Sequence, residues 1–264
     1  MFIERNKGRI LSGTAIKIIG IVLMTMDHLH QMFITQGAPL WLSWFGRPVS
    51  VLFIFLCAEG FYYTRRRKQY LLQLLVGSFF MSSMNRFLSS IMPMEEIALI
   101  NNIFSTLFMA AFYMWMIEIL REGYREKRVG AIILSIGGMI LPFIVGLAML
   151  LSLSNSNQMA AMILLFIPNL ISVEGGFVLV IMGILFYLLR KYRLVQIGVL
   201  LVISAFSWYS SRGSGNFQWL MAAAAVPLLL YNGQRGRGSK YFFYIFYPAH
   251  IYLFYVIAWF LRSH

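Results

Sequence analysis

Long hydrophilic segments are missing from this chain of 264 residues, of which 12% are charged and 60% are hydrophobic. The longest strongly hydrophilic interruption between apolar runs is the short stretch 121–128. A composition this apolar excludes a disordered chain and a soluble globular protein. The sequence therefore predicts an all-α, polytopic transmembrane helical bundle without a soluble domain, forming a single integral membrane domain over residues 1–264.

Cysteine and acidic residues are also scarce. The single cysteine, Cys57, excludes an internal disulfide, and no cluster of cysteine, histidine and carboxylate residues has metal-ligand spacing, so no metal is expected. Nine acidic residues oppose 22 basic ones, which gives a net charge of +13. The basic residues form short clusters between apolar runs, as in cytoplasmic loops, so they indicate a lipid bilayer and not nucleic acid as the partner.

The apolar runs predict nine spanning helices and one ambiguous segment. That segment, 158–173, is apolar but short and contains Pro168 and Asn169. If it crossed the membrane, the basic clusters at Arg190 and Arg235 would lie outside, against the positive-inside rule. We therefore expect a re-entrant or half-crossing segment that helps to build the site, and nine to ten membrane segments in all. The spanning helices are expected at 12–36, 46–64, 69–92, 101–120, 129–151, 176–189, 195–209, 217–231 and 241–261.

Ionisable side chains inside the apolar runs are the candidate functional residues, because each charged one costs about 2.5–3.5 kcal/mol at the centre of a membrane helix. Asp27 and His28 lie past the middle of the first helix. Neighbouring residues of a helix point about 100° apart, so these two cannot simply pair with each other. We expect Asp27 to pair with Arg47 at the start of the second helix, and His28 to act as a base or hydrogen-bond donor. The alternative is that both only join helices by packing.

Four further polar residues have two interpretations each. His250 lies about 15 Å into the last helix, where it could line a site or satisfy a carbonyl of a neighbouring helix. Glu59 in the second helix and Glu174 after the short segment could belong to a site or to a proton relay. Asn102, which opens the fourth helix, is expected as a helix cap or an interhelical hydrogen bond.

The basic cluster after the second helix also has two interpretations. Arg65, Arg67 and Lys68 could bind the phosphates of a cytosolic nucleotide, or they could serve only as a topology signal. We expect them to matter more for such binding than the cluster at Arg235.

Four blocks of the chain, in order and spanning nearly its whole length, resemble the TraX family. They contain the runs Ile16-Lys17-Ile18-Ile19 with Met26-Asp27-His28, Arg47-Pro48 with Phe55-Leu56-Cys57-Ala58-Glu59-Gly60-Phe61, Asn102-Ile103-Phe104 with Thr106-Leu107, and Lys240-Tyr241-Phe242-Phe243-Tyr244 with Tyr247-Pro248-Ala249-His250. TraX-like proteins are similar to the acyltransferase-3 and heparan-α-glucosaminide acetyltransferase families.

The resemblance implies an acyltransferase of the bacterial cell membrane that moves an acetyl group from acetyl-CoA to an acceptor. The type member of the family acetylates the N-terminus of conjugative pilin; here the acceptor could be a peptide amine or a glycan hydroxyl. In this interpretation His28 is the general base and Asp27 orients the site. The supporting residues are Arg47, Glu59, His250, Asn102 and Glu174, and the CoA-binding residues are Arg65, Arg67 and Lys68.

Two other functions remain open from the sequence. A proton-coupled transporter or flippase would use Asp27, Glu59 and Glu174 as its relay, although the lack of a visible internal repeat disfavours it. A non-catalytic assembly protein would leave the buried charges unexplained.

The distribution of basic residues predicts a cytoplasmic N-terminus and an external C-terminus. Reporter enzymes fused to the two termini should therefore report opposite sides of the membrane. Both termini on one side would contradict the nine-helix topology and restore 158–173 as a full crossing. The predicted inner residues are Arg5, Lys7, Arg9, Arg65, Arg66, Arg67, Lys68, Arg121, Arg125, Lys127, Arg128, Arg190, Lys191, Arg193, Arg235, Arg237 and Lys240, and the outer ones are Arg47, Arg86, Arg212 and Arg262.

Overall fold

A computed structural model of the chain describes residues 9–155, 157–212, 214–238 and 240–263. Arg5 and Lys7 of the predicted N-terminal cluster and the C-terminal His264 lie outside these residues. Apart from one isolated β-bridge, the regular structure in the described part is helical, which confirms the all-α prediction. The α-helices are α1 (Gly13–Met32), α2 (Val49–Tyr63), α3 (Arg67–Ile91), α4 (Ile103–Arg125), α5 (Val129–Ser154), α6 (Gln158–Leu165), α7 (Gly176–Leu188), α8 (Arg193–Ser210), α9 (Ala225–Leu230) and α10 (Lys240–Ser263).

Several of these helices are long and apolar enough to cross a membrane. Among the described residues, five segments qualify by length and composition, and two shorter apolar helices accompany them. The helices α1 and α3, with 20 and 25 residues, are long enough as well, but polar side chains interrupt them. The chain is therefore a helical membrane protein, and the number of nine to ten crossings stays a prediction. The five segments are Leu40–Tyr63, Ile103–Arg125, Val129–Ser154, Arg193–Ser210 and Phe242–Arg262.

The ambiguous segment contains no helix that could span the membrane. The eight residues of α6 rise only about 12 Å, against a hydrocarbon core of about 30 Å. The chain then turns around Asn169, which is fully buried. Its Oδ1 accepts hydrogen bonds from the N–H groups of Ile171 and Ser172, and its Nδ2 donates to the carbonyl of Ile167, all at 3.0 Å. These bonds satisfy backbone groups that are costly to leave unpaired at membrane depth.

The chain divides into two compact units. The first unit consists of Met1–Leu56, Met92–Ala98 and Leu189–His264, and the second of Cys57–Ile91 and Leu99–Leu188. The boundary between their first segments falls inside α2. The interpretation of residues 1–264 as one domain stays a prediction.

In the first unit, α1 packs against α10 and against the 3₁₀ helix Leu40–Gly46. The start of α1 is closed by backbone hydrogen bonds, because Gly13 and Thr14 donate to the carbonyls of Gln234 and Arg235 at 2.8 and 2.9 Å. At the other end, Nδ1 of His30 donates to the carbonyl of Ala38 at 3.0 Å. That bond fixes the turn that leads the chain back along α1.

In the second unit, α4 is the central element and packs against α3, α5 and α7. The middle turns of α4 carry small or flexible side chains that are fully buried among these neighbours. They are Met109, Ala110, Ala111 and Met114. Close packing of this kind fixes the position of α4 relative to α3, α5 and α7.

Candidate functional site

Two buried histidines meet in the first unit. His28 of α1 and His250 of α10 form a hydrogen bond of 2.7 Å between Nδ1 of His28 and Nε2 of His250. Both residues are almost completely buried, with 4% and 5% of their surface exposed. Their rings lie nearly parallel, with an interplanar angle of 17° and centroids 5.0 Å apart. The bond therefore joins two helices that are far apart in sequence.

The direction of this hydrogen bond follows from a third contact. Nδ1 of His250 lies 2.7 Å from the carbonyl oxygen of Phe246, and a carbonyl can only accept, so this nitrogen carries a proton. In a neutral His250 the other nitrogen, Nε2, then has the lone pair and accepts from Nδ1–H of His28. In a neutral His28 the proton-accepting atom is consequently Nε2. The arrangement fixes His28 in the tautomer of a base.

Two phenyl rings of α10 also pack against the ring of His250. The phenyl ring of Phe246, one turn earlier in α10, stacks on it with centroids 4.8 Å apart and an interplanar angle of 16°. Phe254, one turn later, meets the same ring edge-on at 5.9 Å. This packing limits the rotation of His250 and keeps Nε2 aimed at His28.

The residue beside His28 belongs to an ion pair. A carboxylate oxygen of Asp27 lies 3.6 Å from the guanidinium of Arg47, with 24% and 34% of the side chains exposed. The predicted pairing of Asp27 with Arg47 is thereby confirmed. Arg47 is positioned by two further bonds, which it donates to the carbonyl of Ser43 at 3.1 Å and to Oε1 of Gln218 at 3.3 Å. The pair therefore fastens the segment before α2 to α1.

Gly46 permits the close approach of this segment. A Cβ atom at this position would collide with the carboxylate of Asp27. Glycine at position 46 therefore allows the carboxylate of Asp27 to approach Arg47 without this collision.

Asn102 and Glu174 come together in the second unit, at the start of α4. Asn102 is the N-cap residue; its Oδ1 accepts from the N–H of Ser105 at 3.3 Å, and its Nδ2 donates to the carbonyl of Ser78 at 3.0 Å. The carboxylate of Glu174 accepts from the N–H of Asn102 at 2.5 Å, and Thr106 donates to the Glu174 carbonyl at 2.7 Å. A carboxylate at a helix N-terminus is favourable, so these contacts stabilise α4. The prediction of Asn102 as a cap is confirmed.

The basic cluster after α2 divides into two kinds of side chain. Arg67 forms two parallel hydrogen bonds, 3.0 and 2.9 Å long, with the carboxylate of Glu118. The hydroxyl of Tyr187 donates to the same carboxylate at 2.5 Å. Arg65 and Lys68 are exposed. Arg67 therefore serves the interior of the second unit, whereas Arg65 and Lys68 point to its surface.

Comparison with known proteins places these residues in a family. A family model described as TraX protein matches residues 12–258. The chain belongs to the TraX family. The resemblance read from the sequence is thereby confirmed. The chain is also 25% identical over 260 residues to "Probable fimbrial assembly protein FimC, serogroup H1" of Dichelobacter nodosus, an alignment covering 91% of this chain and 93% of that protein. No solved structure matches.

Sequence reasoning missed four residues of this TraX-family chain that support its polar clusters. Glu118 carried a usable signal, because it is a carboxylate between apolar residues of α4, before the charged run that begins at Arg121. Tyr187, Gly46 and Gln218 carried none, since their residue types are common in membrane helices and loops. Glu59 lies in α2, as predicted, and its side chain is half-buried. Within the described ranges, no three histidine, cysteine or acidic side chains are grouped as metal ligands.

Substitution of Gly46 tests the closeness of the ion pair. Gly46→Ala should lower the free energy of unfolding by about 1–3 kcal/mol, because the new methyl group displaces Asp27. Gly198→Ala is the matched control, since a Cβ at that helical position meets nothing within 4 Å and should leave stability unchanged or slightly higher. Thermal unfolding of the purified proteins in one detergent measures both.

A double substitution separates this collision from a general effect. In an Asp27→Ala background, Gly46→Ala should cause little further loss, because the colliding carboxylate is gone. Additive losses would show that the carboxylate of Asp27 is not what requires glycine at position 46.

Proposed function

We propose that this TraX-family protein is an integral membrane acyltransferase that moves an acetyl group from cytosolic acetyl-CoA to an amine or hydroxyl at or beyond the membrane. The observation that carries the proposal is the buried pair of His28 and His250, in which the hydrogen-bond direction leaves Nε2 of His28 as the proton acceptor. Membership of the family supports it, since the related acyltransferases act on acetyl-CoA.

His28 would act as the general base of the transfer. The acceptor oxygen or nitrogen attacks the thioester carbon of acetyl-CoA, its proton passes to Nε2 of His28, and the carbon–sulfur bond breaks. The departing thiolate takes the proton from His28. The products are the acetylated acceptor and free CoA, so atoms and charge balance without another reactant.

His250 and the ion pair would support this step in different ways. His250 is a positioning residue: its Nε2 keeps the Nδ1–H of His28 bonded while His28 is positively charged. Asp27, which precedes the proposed base in α1, and its partner Arg47 from the segment before α2 place two opposite charges near that base. A fixed guanidinium of this kind can stabilise negative charge that develops on the thioester oxygen.

The proposed phosphate contacts for acetyl-CoA are Arg65 and Lys68. Both are exposed and, on the predicted topology, cytoplasmic. Arg67 belonged to the same predicted set, but its guanidinium is engaged with Glu118, and release of that pair would leave a carboxylate unpaired. We therefore assign Arg67 a structural role within the proposal.

A proton-coupled transporter would need its carboxylates to load and release protons. Glu174, one member of the suggested relay, holds the first turn of α4 through the N–H of Asn102. Protonation would weaken that cap, so this contact favours a structural role for Glu174. The acyltransferase therefore remains the function we propose.

Substitution of the histidines tests the proposal. In nanodiscs, release of CoA from acetyl-CoA with amines, sugars or water as acceptor should fall by about 10²–10⁴-fold in His28→Ala, with CoA binding retained. His250→Gln should retain more activity than His250→Ala, because the Gln oxygen can still accept from His28. The pH profile should shift in His250→Gln, which a purely structural role would not produce.

His30→Ala is the matched control, since His30 is a buried histidine of the same helix that donates to a backbone carbonyl. It should keep its turnover. If His28→Ala keeps near-normal turnover, the catalytic role moves to His250. If both single variants stay active, the acid–base interpretation is wrong.

Neutralising pairs of basic residues tests the phosphate contacts. Arg65→Ala with Lys68→Ala should weaken CoA binding about tenfold or more, because charge-assisted contacts to phosphate are lost, and should leave thermal stability unchanged. Arg235→Ala with Arg237→Ala, another exposed pair, is the control. Isothermal titration with CoA measures both. Equal losses, or none, would indicate that the first cluster is only a topology signal.

A further inference from the structure

A cavity of about 310 Å³ lies in the first unit where α8 ends and the chain continues toward α9. This volume is at the lower end of the roughly 300–1,000 Å³ of small-molecule sites. Its lining combines aromatic rings with polar side chains, and no carboxylate is among the described residues that form it. The residues that define its chemistry are Trp208, Ser211, Arg212, Asn216, Phe217 and Trp219.

The cavity adjoins the ion pair beside the proposed base. Phe217 lines the cavity, and Gln218, the next residue, accepts a hydrogen bond from Arg47 at 3.3 Å. Trp44 packs on Phe217 with ring centroids 5.3 Å apart. Arg47 in turn pairs with Asp27, the neighbour of His28. The cavity is therefore connected through Gln218 to Arg47 and the ion pair that precedes the proposed base in α1.

The charge of the cavity selects among acceptors. The guanidinium of Arg212 lies over the rings of Trp208 and Tyr209, at 4.2 and 5.1 Å from their centroids. In the described part of the chain, Arg212 is paired with no carboxylate. A peptide N-terminus arrives as an ammonium group, which this charge repels, whereas an anionic molecule is attracted.

The shape of the lining points to a ring-shaped polar molecule. The indoles of Trp208 and Trp219 and the ring of Phe217 offer flat apolar faces, and Ser211, Asn216 and Arg212 offer hydrogen-bonding groups. A sugar ring has the matching combination of apolar C–H faces and a rim of hydroxyls. A carboxylate or phosphate substituent on the sugar would match Arg212.

We infer that this cavity binds the acceptor and that the acceptor is an acidic saccharide, which receives the acetyl group on a hydroxyl. The inference rests on the proposed acyltransferase function, because only a transferase has an acceptor. Binding of the saccharide, in contrast, does not require that transfer occurs. On the predicted topology the cavity lies at the outer end of α8, where a surface glycan would reach it.

Saturation-transfer NMR on the protein in nanodiscs tests the binding directly. The probes are glucuronate, galacturonate and glucose 6-phosphate, with glucose and galactose as neutral counterparts and trialanine as the amine. At least one acidic sugar should bind more tightly than its neutral counterpart and than trialanine. Arg212→Gln should weaken the binding of acidic sugars about tenfold and the binding of neutral sugars much less. Trp208→Ala should weaken the binding of acidic and of neutral sugars about tenfold.

Trp41→Ala is the matched control, because Trp41 is as exposed as Trp208 (48% and 49%) and lies outside the cavity. Binding of no acidic sugar, or equal losses in Trp41→Ala and Trp208→Ala, would overturn the inference and leave these rings as ordinary interfacial aromatics. Tighter binding of trialanine would identify a peptide acceptor and overturn it too. CoA release measured without sugar tests the proposed function separately, so either idea can fail while the other stands.

Discussion

A hydrogen bond between two neutral buried imidazoles requires each ring to hold one defined proton. In this protein the carbonyl of Phe246 accepts a hydrogen bond from Nδ1 of His250, so this nitrogen carries a proton. In a neutral His250, Nε2 then accepts from Nδ1–H of His28. A second proton on His250 would remove the lone pair that accepts from His28, and the bond would then have to reverse, with Nε2–H of His250 donating to Nδ1 of His28. The protonation of His250 therefore determines which nitrogen of His28 carries a proton.

The helical geometry of α1 explains why Asp27 does not share this role. Adjacent residues point about 100° apart, so His28 faces α10 while Asp27 faces the segment before α2. About a quarter of the Asp27 side chain and a third of Arg47 are exposed, and such partly solvated pairs contribute little to stability. The pair therefore positions the segment before α2 and places fixed charges beside His28, while it adds little free energy to the fold.

The sequence indicated which polar residues belong to the candidate site better than it indicated which residues they contact. Asp27, His28 and His250 could be found because an ionisable residue in an apolar run is costly, and the Asp27–Arg47 pair followed from their shared place near one end of two helices. The contact between His28 and His250 could not be predicted, since periodicity gives the face of a helix but not its neighbour. Likewise, four consecutive basic residues look equivalent in sequence, and only packing against Glu118 singles out Arg67.

Three carboxylates, those of Asp27, Glu118 and Glu174, share a property that the histidines lack. Asp27 and Glu118 each face an arginine, and Glu174 faces the N-terminus of α4, so each negative charge is balanced by a fixed positive one. Protonation of any of them would leave its partner uncompensated, which makes these groups poor carriers of protons. His28 and His250 are bonded ring to ring, and histidine exchanges protons near neutral pH. The histidine pair is therefore better suited to the proposed acid–base chemistry than these carboxylates, each of which stabilises the structure of its own unit.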